Sequence, residues 1–218
     1  QLRRAGQALY DTAVAYNTSF ISGKDSMFND FKGYDEHGQP IKISVPPTLL
    51  VSSIAVIDDA TTAVSLEAKC AGDIVYILGE TLNELGASEY FALKGEEEQL
   101  RKYIGNAVPQ VDAERNKMLY EALARCIQEG LVASAQSVHR GGLAVALAKT
   151  ALGGELGMDI SLEHLPGTAT RDDFALYSES TGRIVVTVAP NNKKKFEQLL
   201  SGNAFSQLGT VREDTAFV

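Results

Sequence analysis

The chain has 218 residues, with 20 Lys plus Arg against 28 Asp plus Glu and a net charge of −8. That acidic balance excludes a nucleic-acid backbone binder, whose affinity comes from clustered Lys and Arg on phosphates. At 44% hydrophobic and 22% charged residues the composition is globular rather than disordered, and the length suits one large domain or two small ones. The two cysteines, Cys70 and Cys126, are too few for a disulfide framework, lie in no metal-ligand spacing, and read as small buried hydrophobes in a reducing compartment. Gln1 to Tyr16 lacks the apolar core of a signal peptide. The most apolar stretch, Thr48 to Ile57, is half of what a membrane helix needs, so a soluble, cytoplasmic protein with no membrane partner is expected. The absence of a starting Met and the apolar pair Phe217 and Val218 at the end suggest a segment of a longer protein cut at both ends.

Leu2, Ala5, Leu9, Ala13 and Tyr16 recur at helical spacing and predict an amphipathic helix ended by Asn17 and Thr18. Ser19 to Gly23 reads as a short strand, Lys24 to Asp30 as a polar turn, and Gly33 to Pro40 as an exposed loop. Ile41, Ile43 and Val45 alternate with polar residues as in a one-faced strand; Pro46 and Pro47 break it, and Thr48 to Ile57 is predicted as a buried strand. Beyond Asp58 the character changes, with a join near 59 to 71. Gly72 to Gly79 is a buried strand, 84 to 90 a loop entering a short helix, and Asp112 to Glu129 the longest helix, capped by Asp112 and stopped by Gly130. A strand over 131 to 138, a small-residue helix from 141 to about 153, a strand over 158 to 162, a helix over 171 to 177, a strand over 183 to 188 and a helix over 193 to 200 follow. Strands and helices mix throughout, which is an α/β or α+β class in two parts.

Three stretches carry candidate chemistry. Ser22 to Met27 combines a glycine for close backbone approach, Lys24 as a point charge for phosphate, Asp25 for a divalent cation and Ser26 as a hydroxyl donor. It lacks the phosphate-loop spacing, and the residues alone equally describe a turn whose Asp and Ser cap their own backbone. Ser137 to Leu143 places His139 and Arg140 before Gly141 and Gly142 at a helix start, which is either an anion site or two glycines that let the helix pack tightly. Glu80, Glu84 and Glu89 bring carboxylates together for magnesium or acid/base work, or else mark a helix start capped by Ser88; 177 to 180 carries the same two readings. Glu96 to Glu98 and Lys193 to Lys195 read as solvated helix faces.

In chain order stand Gly23 to Met27, Pro46 to Leu50, Gly72 to Gly79, Glu84 to Tyr90, Gly141 to Ala148 and Tyr177 to Arg183. Together they resemble the C-terminal half of the phosphoribosylformylglycinamidine synthases, within the aminoimidazole ribonucleotide synthetase (PurM-like) superfamily. The resemblance covers nearly the whole chain, and its first two motifs point to the purine branch rather than to the selenophosphate or hydrogenase-maturation branches. It implies an ATP-dependent amidotransferase that converts formylglycinamide ribonucleotide and glutamine-derived ammonia to the amidine, through an iminophosphate that ammonia displaces. It further implies two parts. Residues 1 to 68 would be the end of a sheet-plus-helix ATP/substrate-site domain, half of a barrel-type interface that pairs with a preceding domain. Residues 69 to 218 would be an α/β sandwich domain lacking its last elements.

Carried over by resemblance, Gly23 and Lys24 face ATP, Ser26 the small-molecule substrate and Asp25 Mg2+. Lys24 replaces the metal-holding Asn of the family's shorter form, and Ser137 stands where the longer form has an acidic metal ligand. His139, Arg140, Gly141 and Gly142 would form a second anion site. The catalytic histidine and main metal carboxylates belong to the preceding half, so this chain alone is expected to be inactive. The expected partners are that N-terminal half, a glutaminase subunit or domain, and a second copy of the chain. The alternatives are a non-catalytic nucleotide-binding or assembly domain and another ATP-dependent branch of the superfamily.

Overall fold

A computed structural model describes residues 1–26, 29–98 and 104–218; Met27 and Phe28 of the predicted turn lie outside the described residues. The chain divides into two compact units, Gln1–Asp58 and Asp59–Val218. Residues 65 to 68 pack within the second: the Ala68 N–H donates to Thr150 O at 2.9 Å and Ala135 N–H to Ser65 O at 3.0 Å.

The first unit opens with helix α1 (Leu2–Tyr16), which ends as predicted: Asn17 takes the left-handed conformation and closes on the carbonyls of Ala13 and Val14. A hairpin follows, β1 (Asp30–Tyr34) against β2 (Pro40–Ser44). Its turn is held by one oxygen of Asp35, which accepts from the N–H groups of His37 at 2.9 Å and Gln39 at 2.8 Å. The loop is therefore shorter than the predicted 33 to 40, with Gly33, Tyr34 and Pro40 in the strands. Two predicted strands are absent: 19 to 23 and 48 to 57 take up no regular structure. A strand persists only where a neighbour satisfies its backbone groups, and among the described residues neither segment pairs with one. Leu50, Ile54 and Val56 are 89%, 81% and 91% exposed, so the apolar run of 48 to 57 is the opposite of buried. None of the unit's described residues is buried.

The second unit is built on a five-stranded sheet in the order β4 (Ser134–Val138), β6 (Arg183–Val188), β3 (Ile74–Leu78), β7 (Phe205–Arg212), β5 (Gly157–Ile160), every neighbouring pair antiparallel. The mixed class thus resolves as α+β. The central strand β3 is wholly buried because both faces are covered. Ile74, Tyr76 and Leu78 join a core with Leu119, Leu123 and Cys126 of α3 (Ala113–Gln128) and Phe196 of α6 (Lys193–Leu199). Val75 and Ile77 turn the other way, onto Leu143, Ala146 and Leu147 of α4 (Gly142–Gly154). Helices α2 (Glu89–Glu97) and α5 (Asp172–Tyr177) complete the unit.

The predicted caps are in place: Asp112 accepts from the Arg115 N–H at 3.0 Å and Ser88 from the Phe91 N–H at 3.2 Å. Strand β7 was not legible as a strand, since its buried side chains are only Leu208 and Val211 among Ser, Gln, Gly and Thr. Phe217 bridges to Met158 in parallel, on the free edge of β5. Of the cysteines, Cys126 is buried, with its thiol pushed up to about 11 by burial, but Cys70 is exposed rather than buried, in the loop before β3. Among the described residues no helix is long and apolar enough to cross a membrane.

Candidate functional site

Two places hold the predicted site residues. In the first unit, Gly23 to Ser26 is an exposed, irregular segment. The Lys24 ammonium donates to Ser26 Oγ at 3.2 Å and to the Asp25 carbonyl, so cation and hydroxyl lie together. Asp25 is the single carboxylate of this stretch, and among the described residues no three His, Cys, Asp or Glu side chains gather into a metal cage. A divalent cation needs about six oxygen ligands. The described residues do not by themselves fit one.

In the second unit, three motifs that lie far apart in sequence converge: 84 to 90, 139 to 143 and 177 to 183. Their hub is Arg183, 1% exposed. Its guanidinium donates from Nε to Ser180 O at 3.0 Å, from Nη1 to Thr81 Oγ1 at 3.0 Å, and from Nη2 to Ser178 O. Burial draws its pKa down to about 10, opposed by the carboxylates of Glu84 and Glu179, so it stays charged at neutral pH. The hydroxyls of Ser178 and Ser180 accept the N–H groups of Glu84 at 3.3 Å and Leu82 at 3.1 Å. Glu84 Oε1 accepts the Gln110 N–H at 3.0 Å, while its Oε2 is buried without a partner.

Above this hub, Glu179 Oε1 accepts the N–H groups of Glu89 and Gly141, each at 2.9 Å. Arg140 pairs with Glu89, Nε to Oε1 at 2.6 Å, and Glu89 is the main reason that the Arg140 pKa is raised. His139 Nδ1 accepts the Arg140 N–H at 2.9 Å, and the Gly142 N–H donates to His139 O at 2.9 Å. Tyr90 stacks on Tyr177 at 4.7 Å, their rings 2° from parallel. Gly142, at φ +70°, lies so close to α5 that an added Cβ would stand 2.6 Å from Leu176 O, so its glycine is needed for helix packing. Two of the carboxylates of 80 to 90 are paired with arginines, Glu80 with Arg115 and Glu89 with Arg140, while Glu84 keeps its buried, unpartnered Oε2. A groove beside β3, lined by Glu80, Gln110, Arg115, Asn116 and Thr181, has about 50 Å³ of room, enough for a water or two.

The structure brings His139, Arg140, Gly141 and Gly142 together as the sequence grouped them, and adds Glu179, which sequence reasoning read only within its own stretch, and Arg183, to which it gave no role. The one signal for Arg183 was a cation at the head of a β-branched strand. The partners of both residues lie up to 102 residues away.

The fold and the motif order have a counterpart among known proteins. The pattern of the AIR synthase related protein, C-terminal domain, matches residues 71–218, and the chain belongs to that family. Over 203 residues, 92% of the chain, it is 32% identical to the phosphoribosylformylglycinamidine synthase subunit PurL of Methanocaldococcus jannaschii. It is 34% identical to the PurL subunit of Thermosynechococcus vestitus over 99% of its length. It spans about a quarter of these curated relatives, 26% and 28%. Among solved structures, T. maritima PurL complexed with FGAR aligns with 93% of the chain and 32% of its own at a TM-score of 0.64 and 19% identity. E. coli HypE, a hydrogenase maturation protein, aligns with 71% of the chain and 48% of its own at 0.51 and 21%. These structural likenesses establish the PurM-like fold.

Proposed function

We propose that this chain is part of a longer PurL-type phosphoribosylformylglycinamidine synthase, a cytoplasmic ligase of purine biosynthesis. The observation that carries this reading is the 32% identity to a PurL subunit over 92% of the chain. On this reading the whole protein takes formylglycinamide ribonucleotide, ATP and ammonia from a glutaminase partner to the amidine, and this chain supplies a part of the site. Ser26 and Lys24 offer a hydroxyl and an ammonium side by side to substrate and nucleotide phosphate, Gly23 lets the backbone approach, and Asp25 offers one oxygen ligand to a cation whose other ligands come from elsewhere. The first unit would then be the end of the site domain and the second the sandwich domain, with the join earlier than the expected residue 68 because 65 to 68 pack within the second unit. The exposed 48 to 57 run is where the first of these expects cover from the rest of the synthase.

The test is amidine formation by the full-length protein with its glutaminase. Ser26→Ala and Asp25→Ala are each expected to lower turnover about 100-fold, the scale of removing one positioned polar group from a phosphoryl-transfer site. Undiminished turnover in both overturns the assignment of 23 to 26. The 218-residue chain alone is expected to be inactive, since the positioned charges of phosphoryl transfer are incomplete in it; turnover by it alone would refute the shared site.

A further inference from the structure

The geometry points to Glu179 as an internal anion, a positioning residue whose carboxylate fills the cradle between the starts of α2 and α4 and fixes these helices to each other. Its Oε1 accepts one N–H from the first residue of α2 and one from the residue that caps α4, both at 2.9 Å. Such donors have no partner within their own helix, and both helix ends present positive dipoles to the same oxygen. Two further observations hold the carboxylate there. Arg183 grips the carbonyls of Ser178 and Ser180, on either side of Glu179, and Tyr177 is stacked on Tyr90 of α2.

The charges near Glu179 are Arg140, which Glu89 also reaches, and Arg183, which Glu84 also reaches. Because Arg140 is engaged by Glu89, the two N–H groups are the donors that Glu179 answers. Oε1 is thereby committed to the two backbone donors. This favours a structural role for 177 to 180 over metal or acid/base work, and it does so independently of the role of 23 to 26.

The experiment is thermal unfolding of the full chain as Glu179→Ala and as Glu179→Gln, in sodium formate and in sodium chloride at equal ionic strength. Glu179→Ala is expected to melt roughly 5 °C below wild type in chloride. Formate, a free carboxylate entering the vacated cradle, is expected to recover most of that, while wild type responds equally to both salts. Glu179→Gln keeps an acceptor oxygen and is expected to be indifferent to formate. A Glu179→Ala protein that melts alike in both salts overturns the proposal, as does an equal formate response in all three proteins. Should Glu179→Ala not fold, hydrogen exchange in wild type decides: the Glu89 and Gly141 amides are expected to exchange at least about tenfold more slowly than unprotected amides, and exchange at the unprotected rate overturns it.

Discussion

The two units use similar residues to opposite ends. Residues 74 to 78 and 49 to 57 are both rich in Ile, Val and Leu; the first are all buried at the centre of a sheet, and the second are largely exposed. What differs is the neighbour. Strand β3 has β6 and β7 on its two edges and helices on both faces, whereas 48 to 57 pairs with no strand among the described residues of its own unit. Apolar content states a demand for burial, and only partners at the right spacing meet it. A lone two-stranded hairpin beside an amphipathic helix is marginal in water, so the first unit is stable chiefly as far as something covers it.

Substitutions can test this contrast, from the largest effect down. Phe196→Ala, which empties a fully buried ring tilted against Tyr76 at 5.0 Å, is expected to cost about 3–5 kcal/mol in denaturant unfolding of the second unit. Gly182→Ala comes next: at φ +77° its Cβ would stand 2.0 Å from Asn116 Oδ1, and about 1–3 kcal/mol is expected from strain and the shifted amide. Asp73→Asn should act in the other direction. Asp73 is 4% exposed and its Oδ2 has no partner, and burial raises its pKa above 3.8. The fold therefore favours the protonated acid. That contribution is whole below pH 3.8 and is lost as pH rises through the higher folded value, so the Asn variant is expected to match wild type near pH 3.5 and to be the more stable at pH 7. Leu50→Ala closes the series with a change within about 0.5 kcal/mol in the 218-residue chain. A loss there equal to that of Phe196→Ala would show that 48 to 57 is covered after all and dissolve the contrast.

The same contrast explains what could be read from the sequence. Most elements of the second unit were legible because local signals coincide with tertiary ones: glycines bracket β3, Asp112 and Ser88 cap their helices, and β6 is a β-branched run. Strand β7 escaped because its pairing with β3 and β5, rather than its composition, makes it a strand. The strands predicted over 19 to 23 and 48 to 57 failed for the converse reason, composition without a partner. At the candidate site, sequence grouped the residues of each motif but not the motifs with one another. The bonds from Glu179 to Glu89 and Gly141 span 90 and 38 residues, distances at which no local rule operates.

Strand β3 has a further consequence, for the order of events during synthesis. It is the first strand of its sheet to leave the ribosome, yet both strands that flank it, β6 and β7, lie more than a hundred residues downstream. Such distant closure is slow, and until it occurs the most apolar strand of the unit is bare and open to any other unpaired edge. A nascent chain halted before residue 183 should therefore be captured by chaperones or aggregate through residues 74 to 78, while one released after residue 212 should be soluble.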